Sequence, residues 1–188
     1  MIKAIVSALL ALTLLAGCGA YGDLSNARGS SSSPGSGGAS PPSASCHARG
    51  SDEMVEPDPA CTPGAVNPQV TQANIGSTIC KRGWTKTVRP PASYTSDLKR
   101  EQMRAYGYSG SPSGFEEDHL IPLELGGAPS DPKNLWPELG ATPNPKDDVE
   151  NAANKAVCAG QMQLQTAQQQ MAADWISLGR ELGVAGGR

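Results

Sequence analysis

Residues 19 to about 60 take a long stretch of this 188-residue chain out of any core. They are rich in Ser, Gly, Pro and Ala, most densely in Gly29-Ser30-Ser31-Ser32-Ser33-Pro34-Gly35-Ser36-Gly37-Gly38. Such a stretch buries too little apolar area to offset the entropy of ordering it. With Cys18 it reads as a flexible tether over 18–60. Folding is then left to 61–188, roughly 125 residues, which suits one small domain. With one Phe, three Trp and four Tyr in the whole chain, its core is modest. Disulfides supplement such cores.

The segment ahead of the tether is an address. Met1-Ile2-Lys3 carries one positive charge, and Ala4 to Ala16 is uncharged and almost wholly apolar. A bilayer-crossing helix needs roughly 20 apolar residues, so this run fits the core of an export signal over 1–17. Leu15-Ala16-Gly17-Cys18 resembles the lipobox of bacterial lipoproteins. That resemblance implies cleavage before Cys18, lipidation of Cys18 and an envelope location. Gly19 in place of Asp favours the outer membrane, facing the periplasm or the surface. Four cysteines remain: Cys46, Cys61, Cys80 and Cys158. An even count in an oxidising compartment predicts two disulfides with three connectivities open. The pairing expected here is Cys46 with Cys61 and Cys80 with Cys158. The second loop, of about 80 residues, is worth roughly 4 kcal/mol on the chain-entropy model. No Cys-x-x-Cys occurs, which argues against a structural zinc site.

Charge is unevenly spread. Between 80 and 104, Lys81, Arg82, Lys86, Arg89, Lys99, Arg100 and Arg104 face only Asp97 and Glu101. Between 116 and 150, nine acids face Lys133 and Lys146. A basic arm beside an acidic centre suits a phosphodiesterase, with Lys81, Arg82, Lys86 and Arg89 as phosphate contacts. A solvated charged surface is the plainer reading. The pI near 5.4 argues against a general nucleic-acid coating protein.

Coarse patterning predicts mixed α+β structure. Thr71 to Val88 suggests short strands or a loop. A helix capped by Ser96 runs to about Tyr106, where Gly107 stops it. Phe115 to Leu125 reads as a strand, irregular from about Asp118. Gly126-Gly127 permits a reversal, and Asn134-Leu135-Trp136 returns as a short strand. Asn144-Pro145 looks like an N-cap with proline at the first helical position. Val149, Ala152, Ala153 and Ala156 then form one apolar face of a helix to about Cys158. Leu164, Ala167, Met171, Trp175 and Leu178 form the stripe of a second helix. Trp84, Trp136 and Trp175 read as core, and Glu116 and Glu117 as solvent-facing.

Strand, turn, strand, helix is a ββα unit with Asp118-His119 on its first arm. Glu116-Glu117-Asp118-His119-Leu120-Ile121-Pro122-Leu123, then Gly126-Gly127, then Asn134-Leu135 resembles the HNH, or ββα-metal, nuclease family over about 115–158. The longer run from Thr78-Ile79-Cys80 to Val157-Cys158-Ala159-Gly160 resembles exported HNH-like proteins. The resemblance implies a small, disulfide-stapled ββα-metal core with additional helices. It makes Asp118 the first metal ligand, His119 the general base and Asn134 the residue bracing the loop that carries the His. Asn144 falls near the last ligand position, with Asp147 and Asp148 as substitutes. Oxygen ligands suit one hard divalent ion, Mg²⁺ or Mn²⁺, with Zn²⁺ as the alternative. A neutral His deprotonates water while the cation offsets developing phosphoryl charge.

The plainer readings stand beside these. His119 can be a buried His bonded to a backbone group, Asp118 the partner of an arginine in the basic arm, and Asn144 a cap. Two functions follow. One is a lipid-anchored, metal-dependent endonuclease acting on DNA more than RNA. The other is a non-catalytic envelope lipoprotein that keeps the HNH-like scaffold as a binding or structural module.

Overall fold

The structure is a computed structural model that describes residues 45–140 and 142–184. It is mixed α+β, with two small antiparallel sheets and two disulfides. The signal segment, Cys18 and the tether up to residue 44 lie outside the described residues.

The folded unit begins earlier than the expected boundary at 61. Strands β1 (Arg49–Ser51) and β2 (Met54–Glu56) form a hairpin inside the stretch assigned to the tether. Cys46 and Val55 are buried with Tyr106, Leu120 and Trp136. The backbone N–H groups of Ser45 and Cys46 both donate to the Ala105 carbonyl, at 2.9 and 3.0 Å. The average composition of 19–60 conceals these few anchoring residues. The disulfide Cys46–Cys61 closes the segment as expected.

From 71 to 88 the chain forms two short helical segments joined by turn residues 78–83, so the expected loop is present in part and the expected strands are not. A 3-10 turn spans Gln72–Ser77, and α1 spans Trp84–Val88. Asn74 explains the first. Its side chain accepts from the Thr71 N–H at 2.9 Å, and its carbonyl accepts from the Thr78 hydroxyl at 2.9 Å. Such local polar bonds compete with strand pairing. Helix α2 covers Ala92–Ala105, starting at Pro91 and not at Ser96. Pro91, at φ −61°, is preset for a helix start.

Strands β3 (Phe115–His119) and β4 (Leu135–Leu139) pair antiparallel, from Phe115 opposite Leu139 to His119 opposite Leu135. Pairing is regular through His119, so the irregular segment starts after the His and not at Asp118. A 3-10 turn, Leu123–Leu125, then leads into Gly126-Gly127. Gly126 has φ +72°, and a Cβ on Gly127 would lie 1.7 Å from the Ile121 carbonyl oxygen. Both positions require glycine.

Helix α3 spans Pro145–Cys158 behind its Asn144 cap. Asn144 Oδ1 accepts from the N–H of Lys146 and Asp147, while Asp147 Oδ2 accepts from the Asn144 N–H. This reciprocal capping box satisfies donors the helix leaves open. Helix α4 spans Leu164–Leu182, with a break at Asp174. Its expected stripe is buried, and Trp175 Nε1 donates to the Val55 carbonyl at 3.0 Å. The main core packs Val149, Ala153 and Val157 of α3 against Ala167, Met171 and Trp175 of α4. Cys80–Cys158 ties the end of α3 to the segment ahead of α1.

Candidate functional site

Neighbouring residues on a regular strand point to opposite faces. Asp118 and His119 obey this rule, and their side chains part company. The Asp118 carboxylate turns to α3, where Oδ2 accepts from Lys146 Nζ at 2.7 Å. The His119 ring turns away and donates from Nε2 to the Pro129 carbonyl at 2.9 Å.

Lys146 is the second residue of α3 and lies three residues ahead of Val149, at the head of the helix's apolar stripe. Its side chain is 1% exposed. Nζ donates to Asp118 Oδ2, to Glu150 Oε1 at 2.5 Å and to the His119 carbonyl at 2.9 Å. All three ammonium donors are thereby used. Burial works against this charge, but the carboxylates of Asp118, Glu150 and Glu138 overcome it and hold the lysine above its usual pKa. Burial in turn raises Glu138 and Glu150. Glu138, 2% exposed, accepts from Asn144 Nδ2 at 3.3 Å through one oxygen, while the other has no partner.

The two expected metal ligands do not meet around an open position. Asp118 already holds an ammonium. Asn144 Oδ1 serves the helix cap and its Nδ2 serves Glu138. Among the described residues no three His, Cys, Asp or Glu side chains are arranged to hold a metal ion. A dication at Asp118 would contend with a fixed like charge 2.7 Å from the carboxylate. This donor set does not fit one divalent cation.

His119 is 5% exposed, the environment of the plainer reading. Burial is the largest influence and lowers its pKa, against the opposing pull of the Pro129 carbonyl and Asp118. Asn134 has the bracing geometry expected of it. Its Oδ1 accepts from the N–H of Ile121 and Ala65, and its Nδ2 donates to the carbonyls of Ile121 and Ala128. Every side-chain donor and acceptor is satisfied, so the residue holds the loop after His119 and has no group left for chemistry.

Lys81, Arg82, Lys86 and Arg89 are exposed and make no ion pair among the described residues. Cys80–Cys158 anchors this basic segment. Arg89 is near enough to depress His119 further.

Glu117 departs from the expectation of a solvent-facing residue. It is half-buried, and both carboxylate oxygens are closed to solvent and lack a partner among the described residues. Burial, opposed by Lys99 and helped by Asp118, pushes it up to about 8. Trp136 and Trp175 are fully buried, and Trp84 packs partly buried on the main core.

The sequence reading did not give Lys146, Glu138 and Glu150 a role. One signal was available for Lys146. A lysine at the head of an apolar stripe, with an acid four residues on, calls for a buried carboxylate partner. No protein-family model, curated protein or solved structure matches the chain.

Proposed function

We propose that this chain is an exported, non-catalytic binding module on an HNH-like ββα scaffold, in which Lys146 supplies the positive charge that a divalent cation supplies in a nuclease. The observation that carries this reading is the buried ammonium of Lys146, shared by Asp118, Glu150 and the His119 carbonyl. A nearly closed His119 supports it further. The two disulfides fit an oxidising, non-cytoplasmic compartment. Lipidation at Cys18 would hold the module in the envelope, facing the periplasm or the surface.

The binding surface in this reading is the exposed quartet Lys81, Arg82, Lys86 and Arg89, and its partner is nucleic acid, DNA ahead of RNA. Phosphate contacts of this kind weaken steeply as salt rises. The protein without residues 1–18 is expected to bind duplex DNA at low salt and to leave plasmid DNA intact with Mg²⁺, Mn²⁺ or Zn²⁺. Replacing the four cations by Ala should reduce the salt dependence by up to about four phosphate contacts. Binding indifferent to that change would remove the partner assignment.

The metal-dependent endonuclease remains the second reading. It is favoured by the excess of carboxylates around the one ammonium and by Arg89 acting on His119. Plasmid nicking that needs a divalent ion and vanishes in His119→Ala would establish it and defeat the first.

A further inference from the structure

The β1–β2 hairpin is closed at its base by the disulfide Cys46–Cys61. All three residues of β1 are exposed, so the hairpin is held to the fold through β2. That strand rests on α4 where the helix is interrupted: Trp175 Nε1 donates to the Val55 carbonyl at 3.0 Å. The neighbours of this pair, Glu56 and Asp174, bring their carboxyl groups within hydrogen-bond reach of each other.

The two acids are differently placed. Asp174 is extended, at φ −167° and ψ 84°, and splits α4 in two. It caps the second half, where one oxygen accepts from the Ser177 N–H and the other from the Ser177 hydroxyl, both at 2.7 Å. These bonds favour the charged form and hold Asp174 below the usual carboxylate range. The Glu56 side chain is only 13% exposed. Its Oε2 lies 3.2 Å from an Arg49 nitrogen, and its Oε1 is buried without a donor among the described residues. Burial raises its pKa, against the pull of Arg49 and with the push of Asp174.

Two ionised carboxylates only accept, so they bond to each other through a proton and repel without it. The proton belongs on Glu56, because Ser177 commits Asp174 to its charged form. Arg49 bears on Glu56 and Arg180 on Asp174, but both arginines are exposed and their charge is screened. We propose that the β1–β2 hairpin is an acid-closed flap, latched to the break in α4 by one proton shared between Glu56 and Asp174 and loosened when that proton leaves. The disulfide keeps the ends of the flap together in both states, so the hairpin alone lifts and uncovers Trp175. The Glu56 contribution is full below 4.5 and is lost as pH rises through its raised value, while Asp174, lowered from 3.8, stays charged throughout. The latch is independent of Lys146 and of what the basic segment binds.

Hydrogen exchange of the full chain tests this, followed by NMR at pH 5 and pH 7.5 and corrected for intrinsic rates. The Ala153 amide, buried in α3, reports changes in global stability. Protection of the Trp175 indole N–H should fall at the higher pH by about threefold or more beyond any change at Ala153. Glu56→Gln keeps a donor for Asp174 and has no proton to lose. Asp174→Asn keeps a cap for Ser177 and offers Glu56 a donor. Each should abolish the excess loss at Trp175. No excess in the parent, or the same excess in either variant, would overturn the proposal.

Discussion

Asp118 and Glu117 are neighbours on β3, yet their carboxylates meet opposite surroundings. On the α3 side, Asp118 shares a buried ammonium with Glu150. On the α2 side, Glu117 is closed in with no partner for either oxygen. A buried charge that is paired and hydrogen-bonded is tolerated, whereas an unpaired carboxyl escapes its cost by keeping its proton. The α3 face of the hairpin therefore holds a paired buried charge, and the α2 face a buried carboxyl kept neutral by its surroundings.

The contrast is tested most severely by Lys146→Met. Without the ammonium, Asp118 and Glu150 are left as uncompensated buried acids, and the expected loss is about 3–5 kcal/mol by denaturant unfolding. A loss below about 1 kcal/mol would mean that the lysine does not hold the α3 side together.

Each side also has its own staple, and the two should differ. Replacing Cys80 and Cys158 by Ala opens a loop with a sequence separation of 78, against 15 for Cys46 and Cys61. The chain-entropy model gives losses of about 4.5 and about 3 kcal/mol. Thermal unfolding of the two variants under matched conditions gives the order.

Glu117→Leu and Asp118→Leu should act with opposite signs. The first removes a carboxyl without a partner and should stabilise by about 1 kcal/mol. The second leaves Lys146 short of a partner and should destabilise by about 2 kcal/mol. Two changes of the same sign would erase the distinction between the faces.

Stability against pH should also tell the two faces apart. Glu117 titrates at about 8 in the fold against an ordinary 4.5, so between these values the native state binds the extra proton. Its contribution is full below 4.5 and is lost as pH rises through 8. His119 has the reverse sign: its lowered pKa makes stability fall as pH drops below 6.5. Unfolding midpoints should decline less steeply between about pH 5 and pH 8 in Glu117→Leu than in the parent, with the two slopes converging above pH 8.

Much of the fold was legible. The α3 cap at Asn144, the stripe of α4, the β3–β4 reversal at Gly126-Gly127 and the disulfide pairing all match. The start of the folded unit was not, because a few apolar anchors such as Val55 vanish in a Ser/Gly/Pro-rich average. The bracing role of Asn134 came only from the resemblance of its motif, and its amide does bond the Ile121 and Ala128 carbonyls. The roles of Asp118 and Glu117 were not legible.

The difference lies in range. Caps, helix stripes and glycine turns depend on residues three or four apart, so their outcome is written along the chain. Lys146 reaches Asp118 across 28 positions, and nothing local marks which carboxylate a long side chain will meet once buried. Which of two adjacent acids meets an ammonium, and which is closed in without a partner, was settled by how α2 and α3 pack on the two faces of one short hairpin.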